Sequence, residues 1–176
     1  MDNYLLVEKS KELEQRSKEY GFTNTFFFND NFVFLQEKNE KKLLQAAKEA
    51  KRKGKMAVYQ PDTEDMLRFA LEKTQIDIII GVEYVHNSDG LHYVRSGLDQ
   101  VLCAIAKENN KTIAFSFKDI LISKKRAQLL ARMRLNISLC EKYKILMLFS
   151  NFSREAEDMR TAKDLQAFWR ILNQQR

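Results

Sequence analysis

The stretch Ile-Asp-Ile-Ile-Ile-Gly, residues 76–81, decides the fold. Its isoleucines occupy positions 76, 78, 79 and 80, so the apolar residues do not alternate with polar ones, and Gly81 ends the run. Such a run predicts a strand buried on both faces, as in a parallel sheet covered by helices. Thr112–Phe117 and Ile145–Phe149 read the same way. The intervening segments predict a helix over Gly97–Asn109 and a long one over Ser123–Lys142. Upstream, Asn3–Val7, Phe22–Phe28 and Lys55–Tyr59 read as strands, and Asn31–Gln36 as a further extended piece or a turn. Helices are expected over Glu8–Tyr20, stopped by Gly21, and over Asn39–Lys53, closed by Gly54. Another opens at Pro61 and Asp62. The last spans Thr161–Leu172, where Thr161 and Asp164 have capping-box spacing.

Six strand–helix units in succession imply parallel strands joined by crossover helices. A complete barrel has eight units over roughly 250 residues, and this chain has 176. The expectation is a single α/β domain over residues 1–176, a reduced or incomplete parallel β/α barrel. An open doubly wound sheet is the alternative. No GxGxxG follows the first strand and no GxxxxGK[ST] occurs, so the nucleotide-binding forms of that sheet lose support. An aromatic content of 11% is too high for a disordered chain. Cys103 and Cys140 lie among apolar residues and match no zinc spacing, which predicts buried free thiols. No apolar run reaches the roughly 18–20 residues of a membrane helix, so a cytoplasmic protein is expected.

The net charge of +6 is unevenly distributed. Lys38–Lys55 carries eight basic residues against Glu40 and Glu49, and Lys118–Lys144 carries eight against Asp119 and Glu141. Each segment is therefore +6, and the rest of the chain is −6. Two basic segments on an acidic body suit a polyanion partner. Solvated lysine-rich helix faces give the same count. Lys41, Gln45, Lys48 and Arg52 share one face of the Asn39–Lys53 helix, a row that either tracks phosphates or is simply solvated.

Candidate chemistry is sparse. Glu83, Asp119 and Asp158 each follow a strand, where a barrel places catalytic groups. The only histidines, His86 and His92, lie in one loop, so a His-rich metal site is excluded by count. Neither Ser96 nor Ser116 lies in a nucleophile elbow. The loop Glu83–Gly97 is the most unusual stretch, packing Tyr84, His86, Asn87, Asp89, His92, Tyr93 and Arg95 between a buried strand and a helix. A tight turn at Ser96–Gly97 places Arg95 just before a helix N-terminus, where an anion meets both a guanidinium and free N–H groups. On the Ser123–Lys142 helix, Leu129, Leu130, Met133, Ile137 and Cys140 form the apolar stripe, with Lys125, Arg132 and Asn136 on one flank. Leu135 and Leu139 lie nearly opposite the stripe, which suggests a protein partner there.

Four segments carry a resemblance: DIIIGVEY (77–84), HYVRSGLDQVLCAIAKENNKTIAFSFKDIL (92–121), RAQLLARMRLNISLCEKYK (126–144) and DMRTAKDLQAF (158–168). The RSGL-x-Q element at Arg95–Gln100, FS-x-x-D at Phe115–Asp119 and DxR…DL at Asp158–Leu165 resemble, in order and spacing, the ribonuclease P protein component 3 family. That family occurs in archaea and has a eukaryotic nuclear counterpart. The resemblance covers Asp77–Trp169, and the first 75 residues match only in strand–helix rhythm. It implies a fold similar to metal-dependent barrel phosphoesterases without their metal ligands. It further implies an accessory subunit of ribonuclease P, the endonuclease that removes 5′ leaders from precursor tRNA, with no catalytic residue and no cofactor of its own. The Mg²⁺ would sit on the RNA subunit. The implied partners are the ribonuclease P RNA, precursor tRNA indirectly, and a small protein subunit at Leu135 and Leu139. Val94 stands where family members commonly have a basic residue, and the family commonly continues through a further strand and tail. A smaller barrel is therefore expected.

Arg95, Lys124, Lys125, Arg126, Arg132 and Arg160, with His92 beside Arg95, are the expected RNA-binding residues. Most follow or flank strand C-terminal ends, which share one side of a parallel barrel. For Arg132 and Arg160 the alternative is a structural salt bridge with Asp119, Asp158 or Asp164. The competing function is a stand-alone phosphoesterase holding metal on Glu83, Asp119 and Asp158.

Overall fold

Polar side chains start most of the helices. Each accepts a backbone N–H in the first turn that has no partner within the helix. In the computed structural model, which describes residues 1–173, Ser10 caps α1 (Lys11–Glu19) and Asn39 caps α2 (Glu40–Arg52). Thr63 caps α3 (Glu64–Lys73), and Asp99 caps α4 (Gln100–Glu108). Ser116 caps a short α5 (Phe117–Ile122). α6 (Arg126–Tyr143) has no side-chain cap and ends at Lys144 in the left-handed conformation. In α7 (Ala162–Asn173) the Asp164 amide donates to Thr161 Oγ1 at 3.2 Å, as the capping-box spacing predicts.

The strands are β1 (Asp2–Leu5), β2 (Asn24–Phe27), β3 (Phe32–Leu35), β4 (Met56–Tyr59), β5 (Ile78–Ile80), β6 (Thr112–Ser116) and β7 (Leu146–Ser150). All pairings are parallel: β1 with β2, and β3-β4-β5-β6-β7 in sequence order. Isolated parallel bridges join the two sheets at both edges, Phe28 to Phe32 and Leu5 to Ser153. The Leu5 seam is reinforced by Leu6 N–H to Ser153 O and Phe152 N–H to Tyr4 O, both 2.8 Å. The Tyr4 amide also donates to Ser150 Oγ at 2.7 Å, and Asn151 Nδ2 to Asn3 Oδ1 at 2.9 Å. The described strands thus run round from β1 to β7 and back, a reduced parallel barrel of seven strands.

Alternation along the strands divides the core in two. One set of side chains fills the barrel: Tyr4, Phe32, Val58, Ile78, Ile80, Ala114 and Phe152, flanked by Phe26, Phe28 and Phe34. Tyr4 stacks on Phe26 at 4.6 Å and on Phe152 at 5.6 Å. The aromatic residues come from the strands on either side of the seams, where fewer backbone bonds hold the ring. The opposite set, including Tyr59, Ile79, Ile113, Phe115 and Phe149, packs under the helices together with Leu67, Met133 and Leu165. Cys103 and Cys140 are buried free thiols in this outer layer.

Three expectations shift. The helix predicted from Gly97 starts at Gln100, because Asp99 takes the cap and Gly97 has φ +101°. The helix predicted from Ser123 starts at Arg126, because Ser116 nucleates α5 first. Asn31–Gln36, left open between strand and turn, contains β3. No helix among the described residues is long and apolar enough to cross a membrane.

Phe32 is fully buried at the β2–β3 seam and packs its ring near Tyr4 and Phe28. Phe32→Ala should lower unfolding stability by about 3–5 kcal/mol, read as a reduced urea midpoint with an unchanged slope.

Candidate nucleic-acid interface

The loop after β5 is held by one face of α6. Gly81, at φ +74°, turns the chain into a short 3₁₀ turn at Val82–Tyr84. Arg132 then reaches in from α6 with only 5% of its surface exposed. Its Nη1 donates to the carbonyl oxygens of Glu83 at 2.7 Å and His86 at 2.8 Å. Its Nε and Nη2 donate to Asp89 Oδ1 at 2.9 and 2.7 Å. Gln128, one turn earlier, donates to Asp89 Oδ2 at 2.5 Å, and the Arg95 amide donates to Asp89 Oδ1 at 3.0 Å. These contacts, led by Gln128 and then the Arg95 amide, hold the Asp89 carboxyl down at about 2.

Asn136, one turn after Arg132, secures the end of the loop. Its Nδ2 donates to Ser96 O at 2.7 Å and its Oδ1 accepts from the Leu98 amide at 3.3 Å. Between them Gly97 lies against the Val82 carbonyl so closely that a Cβ would overlap its oxygen, and its positive φ disfavours any side chain. The RSGL element is therefore a backbone fitting, pinned from α6. Arg132 and Asn136 belong to the buried face, with Leu129, Met133, Ile137 and Cys140, and not to a solvent-facing flank.

Glu83 is 1% exposed, and its Oε1 has no hydrogen-bond partner. Burial pushes its pKa up to about 8; nearby Asp119 adds to the rise, and Asn136 and Arg132 offset it only in part. Burial also raises Asp119, while Lys118 and Arg154 pull it back. Asp158 pairs with Lys118 at 3.6 Å. The three carboxylates proposed for a metal thus have three different fates: one buried and protonated, one half-buried at the barrel mouth, and one ion-paired. Among the described residues no three or more His, Cys, Asp or Glu are grouped to hold a metal ion.

Two cavities open beside this network. One, about 230 Å³, lies at the C-terminal mouth of the barrel, lined by Gln60, Ile80, Ser116, Lys118, Asp119, Phe152 and Arg154 among others. The second, about 360 Å³, lies between the post-β5 loop and the start of α6, lined by Glu83, Tyr84, His86, Asn87, Ser123, Lys124, Lys125, Gln128, Leu129 and Arg132. His86, lowered by burial and by the neighbouring Arg95, faces Glu64 at 3.5 Å.

The predicted RNA residues fall into distinct groups. Lys124 and Lys125 are exposed on the second cavity, and exposed Arg95 lies within electrostatic reach of His86. His92 is exposed on the same loop. Arg126 is turned back, donating to the carbonyls of Ile120 and Leu121 at the end of α5. Arg132 is corrected from a phosphate ligand to a buried clamp, and its carboxylate is Asp89, not Asp119, Asp158 or Asp164. Arg160 pairs with no carboxylate that the expectation named; it donates to the carbonyls of Glu157 and Met159 at 3.0 Å. The helix N-terminus expected to join Arg95 in binding an anion begins at Gln100, and the Asp99 carboxylate occupies it. Leu135 is 43% exposed, whereas Leu139 is half-buried against the outer core. Arg154 and Gln60 at the mouth, and Asp89 and Gln128 in the clamp, carry no local motif that marks them.

No family model matches the chain. It is 27% identical over 158 residues to ribonuclease P protein component 3 of Methanosarcina barkeri (strain Fusaro / DSM 804), covering 89% of this chain. The resemblance to the ribonuclease P protein component 3 family is borne out. The chain spans 62% of the length of that relative. Its fold is similar to a chain in a cryo-EM structure of archaeal ribonuclease P with mature tRNA, with TM-score 0.79, 21% identity, and coverage of 98% of this chain and 82% of that one. A crystal structure of an uncharacterized protein shares the fold more distantly, with TM-score 0.53 and 9% identity over 86% of this chain and 40% of that one. The family-like elements map onto the clamp: DIIIGVEY supplies β5 and Glu83, RSGL the pinned turn, and RAQLLARMRLN the face of α6 that pins it.

Two consequences are measurable. Arg132→Ala should lower the Tm by roughly 5 °C or more, because it strands the Glu83 and His86 carbonyls and the Asp89 carboxylate together. Glu83 keeps its proton in the folded chain up to about pH 8, while the unfolded chain releases it near roughly 4.3. Between those values the folded state binds more protons, so stability falls as pH rises, by up to about 1.4 kcal/mol per pH unit. Glu83→Gln should remove most of that slope in melts from pH 5 to 8, leaving the smaller part due to Asp119.

Proposed function

We propose that this chain is a protein subunit of an archaeal ribonuclease P, supporting the catalytic RNA that cleaves the 5′ leader from precursor tRNA. What carries the reading is that the likeness in sequence and the likeness in fold point to the same complex, and that the family-like segments build one pinned loop beside exposed cations. Lys124, Lys125 and Arg95 are available for phosphates. Lys124 and Lys125 are consecutive at the entry to α6, so one backbone step of RNA spans both. Catalytic Mg²⁺ belongs on the RNA subunit in this reading, the protein needs no cofactor, and the complex works in the cytoplasm.

A small protein partner subunit is proposed at Leu135. Its exposure on α6, beside half-buried Leu139, leaves apolar surface that a partner would cover. The alternative, a stand-alone phosphoesterase on Glu83, Asp119 and Asp158, is disfavoured. It needs ionised carboxylates that converge, and here Glu83 is held neutral and Asp158 is engaged by Lys118.

A gel shift of the full chain with its cognate ribonuclease P RNA tests the reading. Each phosphate contact adds roughly 0.7–0.9 to the slope of log affinity against log salt. Lys124→Ala/Lys125→Ala should therefore weaken binding and flatten the slope by roughly 1.5, with an unchanged Tm. No RNA affinity, or metal-dependent hydrolysis by the RNA-free protein that Asp119→Ala abolishes, would overturn the assignment.

A further inference from the structure

Phosphate binding at Lys124 and Lys125 leaves the cavity behind them unexplained. Its 360 Å³ falls in the range of pockets that enclose small ligands. Tyr84, 41% exposed, and Leu129, 4% exposed, supply an aromatic and an apolar wall. Glu83 lines the same cavity, and its Oε1 is buried without a partner. A buried polar atom left unpaired is unfavourable, and a ligand atom entering the cavity would relieve it.

We propose that this cavity receives one unpaired base of a single-stranded RNA segment, lying against Tyr84 and Leu129 and hydrogen-bonded to Glu83, with the adjoining phosphates on Lys124 and Lys125. The inference rests on the RNA-binding reading above and names its contact. A planar aromatic group beside a polyanionic backbone is what this lining selects: a flat wall, a polar atom at depth and cations at the rim. A duplex cannot enter, because its bases are stacked and paired, whereas a loop or bulge can turn one out. An acidic peptide would satisfy the lysines but would bring carboxylates towards a buried carboxyl. The groups acting on Glu83 are Asp119 from α5, Arg132 and Asn136 from α6, and its own backbone, while the neutral Tyr84 and Cys140 lie near it. Their balance leaves it protonated at neutral pH, a donor to a carbonyl oxygen or ring nitrogen of a base.

The test is fluorescence anisotropy of the full chain with labelled hexauridylate and hexaadenylate. A short RNA duplex, uridine monophosphate and hexaglutamate serve as competitors, and cognate ribonuclease P RNA is run in parallel. Either hexamer should bind, the duplex should compete poorly, and Tyr84→Ala should weaken hexamer binding by roughly tenfold. Tyr84→Phe should bind like the wild type, which separates loss of stacking from loss of fold. Hexamer affinity should fall as pH rises past about 8, and Glu83→Gln, whose amide still donates, should remove that fall while retaining affinity at pH 7. Hexamer binding indifferent to Tyr84→Ala and, at every pH, to Glu83→Gln overturns the pocket while leaving the RNA reading intact. Monophosphate binding as tight as hexamer binding makes this a free-nucleotide site, and displacement by hexaglutamate at matching concentration makes it a peptide surface; either refutes the inference. Failure to bind the cognate RNA at all would instead strike the underlying reading.

Discussion

The guanidinium of Arg132 is the contact on which the functional side of this molecule depends. It joins α6 to the loop after β5 through two carbonyl oxygens and the Asp89 carboxylate, all within 2.9 Å. A guanidinium presents several donors in a fixed plane, so one side chain satisfies groups from three loop residues at once. Asn136, four residues further on, fastens the far end of the same loop. With i and i+4 on one helical face, a single helix determines the path of about fifteen residues that have little secondary structure of their own. The cavity under Tyr84 and the position of Arg95 follow from that path.

The barrel supplies the rigid frame. Five strands pair continuously, while the two seams rest on single bridges with a few flanking backbone bonds, side-chain bonds at Ser150 and Asn151, and interior aromatic packing. Large rings suit this position, because packing area compensates for missing ladder bonds. The mouth of the barrel, where strand C-terminal ends converge, has the geography of an enzyme site. Its electrostatics differ from one that binds a metal through carboxylates. Asp119 is half-buried and feels the charges of Lys118 and Arg154, Asp158 is spent on Lys118, and Glu83 has withdrawn into the protein as a neutral acid. Carboxylates at strand ends mark a metal site only when they remain ionised and converge.

The parallel α/β architecture was legible in the chain because burial on both faces writes itself into consecutive residues. Ile76–Ile80, Thr112–Phe117 and Ile145–Phe149 have no polar alternation, and the structure lays them side by side as β5, β6 and β7. The helix cap at Thr161 and the buried thiols at Cys103 and Cys140 were readable for the same reason, since each depends on near neighbours. The lysines at 124 and 125 were visible as part of the basic segment Lys118–Lys144.

What the sequence by itself determined is thus the part encoded in short range: strand and helix type, their alternation, and the elements that resemble ribonuclease P protein component 3. Tertiary structure alone decided which cations are engaged by the protein's own backbone. Arg126, Arg132 and Arg160 read like Lys124 in the chain, yet each guanidinium is turned onto backbone carbonyls. The reason is distance. Arg132 and Asp89 are 43 residues apart and Asn136 and Ser96 are 40 apart, and a charge pattern says nothing about which carbonyl or carboxylate another element will bring within 3 Å. The closure of seven strands into a ring has the same origin, for Leu5 meets Ser153 only after every strand between them has been laid down.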